Sequence, residues 1–155
     1  MNKVALDEAV PEFQTQATSN KDIHLSAMIG YNVVLYFYPK DNTLGCTRES
    51  EEFQQLYNEF KETKTCILGV SRDSLESHED FKTEKGFSFE LISDSDESLC
   101  DLFDVIKLKN MYGREVLGIE RSTFLINSSG VLKQEWRKVK VEGHAAEVLN
   151  TVKNL

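Results

Sequence analysis

Residues 33–38, Val-Val-Leu-Tyr-Phe-Tyr, are apolar without a break, and a run of that length and side-chain type reads as a strand buried on both faces. The period then changes. Phe53, Leu56, Tyr57 and Phe60 stand at i, i+3, i+4 and i+7, which predicts a helix over 44–61. Continuing that stripe backward by seven places Cys46 on the same face as Phe53 and Phe60. Cys66 to Ser71 predicts a second apolar strand and Phe89 to Ser93 a third. Between them, Leu75 to Lys85 predicts a polar surface helix that ends at Gly86. Asp96 to Asp104 predicts a short helix with Leu99, Leu102, Phe103 and Ile106 turned inward.

Ser122 to Ile126 and Val131 to Trp136 read as two strands joined through Asn127-Ser128-Ser129-Gly130, a hairpin signal. His144 to Asn154 predicts a closing helix with Ala145, Val148, Leu149 and Val152 on one face. Near the start, Phe13 to Thr15 and Ile23 to Leu25 predict a small hairpin around Ser19-Asn20. The order is βαβαβα followed by ββα. It implies an α/β fold with a mixed central sheet and helices on both faces. No repeat or linker interrupts the chain, so residues 1–155 are expected to form a single domain.

Composition narrows the chemistry. The 155 residues carry a net charge of −8, which argues against a nucleic-acid partner because phosphate binding needs a basic face. No apolar run approaches the ~20 residues of a membrane helix. The first residues lack the apolar core of a secretory signal, so a cytoplasmic protein is expected. The three cysteines, Cys46, Cys66 and Cys100, are sparse, odd in number and without C-x-x-C spacing. They do not form a disulfide framework, and free thiols are expected.

One of the three sits at a strand-to-helix junction. If Thr43 is the N-cap, Cys46 is the third helical residue, in a turn whose unpaired N–H groups carry partial positive charge. Such a turn favours the thiolate, the reactive form of cysteine. The Thr43 side-chain oxygen is expected to accept from an N–H of that turn. Gly45 allows close approach and room for a substrate, and Pro39 ends the strand and stiffens the loop.

The spacing Pro39, Thr43, Cys46 resembles the peroxiredoxin signature Pro-x-x-x-Thr-x-x-Cys. The flanking Tyr36-Phe37-Tyr38-Pro39-Lys40-Asp41 and Cys46-Thr47-Arg48-Glu49 are most similar to the bacterioferritin comigratory protein, or peroxiredoxin Q, subfamily. Gly118 to Ile126, Leu68 to Ser71 and Ile92 to Asp94 agree with it. The resemblance covers nearly the whole chain. It implies a thioredoxin-like fold and a thiol-dependent peroxidase that reduces hydrogen peroxide and organic hydroperoxides through a sulfenic acid at Cys46.

In that reading Thr43 hydrogen-bonds the peroxide and Arg121 favours the thiolate and polarises the peroxide. Pro39 shields the pocket and Glu49 orients Arg121. Sulfur does the redox chemistry, so no metal or organic cofactor is implied. The partners implied are a hydroperoxide and a thiol donor such as thioredoxin, or glutaredoxin with glutathione, acting on a monomer or weak dimer. The chain departs from the subfamily at Leu44, where proline is usual. It also lacks a cysteine at the usual resolving positions: Glu51 stands five residues after Cys46, and the next helix carries Phe81, Lys82 and Thr83.

Weighed without the resemblance, a lone cysteine at such a junction is more often structural than reactive. Cys66 reads as a buried small hydrophobe. Cys100 reads as core and is the remaining candidate to resolve Cys46, which requires local unfolding. His24, His78 and His144 show no metal spacing and read as solvated surface, and Trp136 reads as packing. Arg48 is either an i, i+4 partner of Glu52 or added positive charge near the sulfur. A disulfide oxidoreductase is disfavoured by the missing second cysteine beside Cys46. The alternative function is a non-enzymatic redox sensor or holdase that uses Cys46 as a switch.

Overall fold

The computed structural model of the chain describes residues 3–155. Its strands are β1 (Gln14–Ala17), β2 (Lys21–His24), β3 (Asn32–Phe37), β4 (Thr65–Ser71), β5 (Glu90–Ser93), β6 (Ile106–Met111), β7 (Arg114–Ile119), β8 (Ser122–Ile126) and β9 (Leu132–Arg137). Its helices are α1 (Leu44–Gln55), α2 (Tyr57–Glu62), α3 (Leu75–Lys85), α4 (Ser98–Leu102) and α5 (His144–Lys153), with a 3-10 turn at Leu25–Met28. Seven strands form one sheet in the order β2-β1-β5-β4-β3-β8-β9. The centre is parallel, β3 to β4 and β4 to β5, and the flanks are antiparallel, so the sheet is mixed as expected.

Alternation along β3 divides the core. Val33, Leu35 and Phe37 join Phe103, Phe124, Cys100 and the N-terminal segment on one face. Val34, Tyr36 and Tyr38 join Cys46, Phe53, Phe60, Phe81 and the inward side of α5 on the other. Strand residues that point alternately up and down feed two cores only if both faces are covered, and here they are. Cys46, Phe53 and Phe60 do share a face, as the seven-residue stepping requires.

The helix expected over 44–61 is two helices. Leu56, at φ −100° and ψ 6°, breaks the axis, and its N–H turns back to the Phe53 carbonyl. The bend lets α1 lie against α5 while α2 lies on β4. Tyr36 fixes α1 to the sheet: its ring stacks on Phe53 at 4.7 Å and its hydroxyl meets Ser50 Oγ at 2.8 Å. The ring has space because residue 69 is glycine; a Cβ there would stand 2.8 Å from Tyr36 Oη.

The Gly86 cap, the turn at Asn127–Gly130 and the Ser19-Asn20 turn form as expected. The N-terminal hairpin also adds to the main sheet through β1 and β5. One element escaped the sequence reading. Residues 106–119 form a second hairpin, β6 with β7, turning on Tyr112 (φ 53°) and Gly113 (φ 79°). The Asp96–Asp104 helix is correspondingly short, and Ile106 belongs to a strand.

Candidate active site

Cys46 is the third residue of α1, which leaves the C-terminal end of β3 through the loop Tyr38–Thr43. Its side chain is 1% exposed. Arg121, in the two-residue joint between β7 and β8, reaches over the helix start. Its Nη2 donates to Cys46 Sγ at 3.4 Å, and its Nη1 donates to Glu49 Oε1 at 2.6 Å. One planar guanidinium thereby spans both groups. Gly45 makes the approach possible, since a Cβ at that position would lie 3.2 Å from Arg121 Nη2.

Glu49 sits one helical turn beyond the sulfur and is 1% exposed. Burial pushes its carboxyl up to about 7, against the pull of Arg121 in the opposite direction. Among the described residues its Oε2 has no hydrogen-bond partner. Burial works against the Arg121 charge, but the charges of Glu49 and Cys46 outweigh it and raise the guanidinium's affinity for its proton. The cation is therefore permanent.

Thr43 is the N-cap by its backbone, with φ −82° and ψ 154°. Its hydroxyl does not cap the helix as expected. It donates to the Lys40 carbonyl at 2.9 Å and so fastens the loop upon itself. The first turn of α1 carries no acidic residue and, among the described residues, no side-chain cap, so its positive end faces the sulfur. Pro39 is half-buried in the loop before it. Leu44, at the position where relatives are expected to have proline, is 89% exposed. Arg48 is exposed and pairs with Glu52 at 3.5 Å, the plainer of its two readings.

The other cysteines lie elsewhere. Cys100 is fully buried in the opposite core, beyond the sheet from Cys46. Burial, followed by the nearby Asp94 carboxylate, drives its thiol upward. Cys66 pairs with Val33, four residues before Phe37, so it stands about 13 Å back along the strands from the α1 end. It is half-buried, not fully, and burial raises its thiol too.

Two histidines overturn the surface expectation. His78 is fully buried, with Nδ1 2.7 Å from Asp41 Oδ2 and Nε2 2.9 Å from the Ile92 carbonyl. His144 is 6% exposed, and its Nε2 meets Thr123 Oγ1 at 2.7 Å. Burial holds the His144 ring down to about 4. Sequence reasoning also missed Asp41, a residue of the Tyr38–Thr43 loop whose side chain is buried against His78. A signal existed: His78 falls between Leu75 and Phe81 at steps of three, on the inward stripe of its helix.

Comparison with known proteins gives this arrangement its context. Residues 6–135 match the AhpC/TSA family, and the chain belongs to that family: it is a peroxiredoxin, a thiol-dependent peroxidase on a thioredoxin-like fold. Within it, the chain groups with the bacterioferritin comigratory proteins, also called peroxiredoxin Q. It is 57% identical over 129 residues to peroxiredoxin Bcp of Xanthomonas campestris, covering 83% of this chain and 81% of that one. It is 43% identical over 152 residues to peroxiredoxin Bcp of Bacillus subtilis, covering 98% and 97%. A solved structure of the Xanthomonas campestris bacterioferritin comigratory protein, studied for alkyl peroxide reduction, superposes with a TM-score of 0.88 at 49% identity, covering 95% of this chain and 98% of that one.

Proposed function

We propose that Cys46 is the sulfur that attacks the peroxide, that Thr43 and Arg121 are catalytic with it, and that Pro39, Gly45 and Glu49 support them. The observation that carries this reading is the single guanidinium held 3.4 Å from Sγ and 2.6 Å from Glu49 over an uncapped helix start. The Cys46 thiolate attacks the terminal oxygen of a hydroperoxide in line with the O–O bond. The S–O bond forms, the O–O bond breaks, and the second oxygen leaves as an alcohol or water after taking a proton. Sulfur is oxidised to sulfenic acid and the peroxide is reduced.

Arg121 donates to the charge that builds on the oxygens as the O–O bond lengthens. Thr43 has spent its proton on Lys40, so its oxygen is free to accept from the peroxide O–H. Hydrogen peroxide and alkyl hydroperoxides are the substrates, the latter by analogy with the Xanthomonas protein studied for alkyl peroxide reduction.

The enzyme works with one cysteine. Cys100 lies across the sheet and Cys66 at the opposite end of the central strands, which supports reduction by an external thiol rather than an internal disulfide. One donor thiolate attacks the sulfenic sulfur, the S–O bond breaks, hydroxide leaves and takes a proton from solvent to become water, and a mixed disulfide remains. A second thiol then releases Cys46 as thiolate and forms the donor disulfide. Thioredoxin, or glutaredoxin with glutathione, supplies such thiols, and a reducing cytoplasm is the setting that keeps them available. The catalytic unit is the whole chain, as a monomer or weak dimer.

Mass spectrometry after one equivalent of peroxide tests the reading. Cys46 should gain one oxygen and then accept an added thiol, with no Cys46–Cys100 or Cys46–Cys66 peptide. A stoichiometric Cys46–Cys100 crosslink, lost together with turnover in Cys100→Ser, would overturn the one-cysteine scheme. Peroxide consumption limited to a single equivalent with ample donor would favour the switch reading instead.

A further inference from the structure

Behind the loop that leads to Cys46 lies a buried polar knot that the peroxidase steps above do not use. The Asp41 carboxylate is at its centre, with a side chain 2% exposed. Tyr38 Oη donates to Oδ1 at 2.6 Å, Ser77 Oγ donates to Oδ2 at 2.7 Å, and His78 Nδ1 meets Oδ2 at 2.7 Å. The Asp41 backbone N–H donates to Asp73 Oδ2 at 2.9 Å, and Ser71 Oγ donates to the same oxygen at 2.5 Å. Three potential ligand atoms of Asp41, Asp73 and His78 lie within 4.8 Å of one another, yet both carboxylate oxygens of Asp41, both ring nitrogens of His78 and Oδ2 of Asp73 are already engaged in hydrogen bonds. The knot is a hydrogen-bond closure, not a cradle for a cation.

The ring of His78 can be oriented from its partners. A carbonyl only accepts, so Nε2 carries a proton toward Ile92. Burial pushes the Asp41 carboxyl up, but His78, then Tyr38 and Ser77, more than offset it, and the group stays below its ordinary value as a carboxylate. With Nε2 protonated, the 2.7 Å contact between Nδ1 and Oδ2 is bridged by one shared proton in a site sealed from water.

We propose that His78 and Asp41 form a buried hydrogen-bonded clamp that positions the Pro39–Thr43 loop, and through it Cys46, for attack on peroxide. The clamp joins three elements at one point: the end of β3 through Tyr38, the first turn of α3 through Ser77 and His78, and β5 through Ile92. Asp41 is two residues before Thr43 and five before Cys46. Asn42 follows at φ 61°, a left-handed turn that the loop keeps because Asp41 is held on both its backbone and its side chain. His78 touches neither sulfur nor substrate and acts as a positioning residue. The inference rests on Cys46 being the attacking sulfur.

The test uses His78→Gln, Asp41→Asn and the double variant. Three quantities are read: the single-turnover rate of Cys46 oxidation by hydrogen peroxide, the rate at which dithiothreitol reduces the sulfenic acid, and the melting temperature. Each single variant should oxidise about tenfold more slowly, because small misplacement of reacting groups is costly. The double variant should be no slower than the worse single, as for two parts of one device. Reduction by dithiothreitol should be unchanged or faster, since a loosened loop admits the donor.

Oxidation within twofold of the parent in both folded single variants would overturn the clamp, as would equal slowing of both half-reactions in step with lost stability. Should the variants fail to fold, ring-nitrogen NMR of the parent protein at neutral pH decides. A proton bridging His78 Nδ1 and the Asp41 carboxyl, protected from exchange with solvent, is expected, and its absence would overturn the clamp. Turnover retained in Cys46→Ser would instead sink the underlying assignment of the sulfur.

Discussion

Cys46 and Cys100 occupy the same place in their helices, and their surroundings treat the sulfur in opposite ways. Each is the third residue after its N-cap, Thr43 in one case and Glu97 in the other. Each is almost fully buried. At α4 the Asp94 carboxylate takes the N–H groups of both Leu99 and Cys100, at 3.0 and 2.7 Å, and so sets a negative charge beside the thiol. At α1 no acidic group fills the turn, and a guanidinium approaches the sulfur from outside it. A helix start activates cysteine only while its donors are left for the sulfur. Once a carboxylate has taken them, the same position makes the thiol inert.

The largest effect separates the two directly. Cys46→Ser should bring peroxide turnover to background, whereas Cys100→Ser should keep the turnover of each folded molecule and lose about 1–3 kcal/mol of stability by placing a hydroxyl in apolar core. Activity surviving in Cys46→Ser, measured with excess donor, would reverse the comparison. Next comes the guanidinium. Arg121→Ala should slow Cys46 oxidation about 100-fold, in the range for loss of one charge-stabilising donor. Arg121→Lys should recover little, because a single ammonium cannot span Glu49 and the sulfur. Full recovery in a stopped-flow measurement would reduce Arg121 to a simple positive charge.

The third experiment makes α1 resemble α4. Leu44→Asp puts a carboxylate in the first turn at an exposed position where little packing is lost. Thermal stability should rise by about 0.3–1 kcal/mol while peroxide oxidation falls several-fold. If both rise together, the free positive end is not what activates the sulfur. The smallest effect concerns Glu49, whose carboxyl is raised from 4.5 to about 7 by burial despite Arg121. The folded chain holds a proton there that the unfolded chain releases, so this contribution to stability is full below about pH 4.5 and is lost as pH rises through 7. Urea midpoints at pH 5 and 8 should show the parent losing more stability than Glu49→Gln, and parallel losses would contradict the raised carboxyl.

The sequence carried the features that depend on local period. The apolar run of β3, the seven-residue stepping from Phe60 to Cys46 and the turn at Asn127–Gly130 all reappear in three dimensions. What escaped it depends on partners far along the chain. The β6–β7 hairpin shows alternation in Ile106-Lys107-Leu108-Lys109, but its turn is Tyr112-Gly113, which lacks the Asn or Asp that usually marks such a turn. The Leu56 break answers to α5 and β4, neither of which the helix's own residues reveal. His78 looked solvated because its helix is mostly polar, and its partner Asp41 is 37 residues away. The proximity of Arg121 to Cys46 came from the family pattern alone, since 75 residues separate them.

The sheet that divides the two cores also sets a clock. In the proposed one-cysteine scheme, with Cys100 walled off behind β3, an oxidised Cys46 has no companion inside the molecule to rescue it. Its fate is then a race between a reductant arriving from solution and a second molecule of oxidant. The first restores the enzyme, and the second carries the sulfur to sulfinic acid, beyond the reach of ordinary thiols. How many cycles one molecule completes is therefore fixed less by its own architecture than by the ratio of donor to peroxide around it. A partition inside the fold thus ties the enzyme's working life to the redox state of its surroundings.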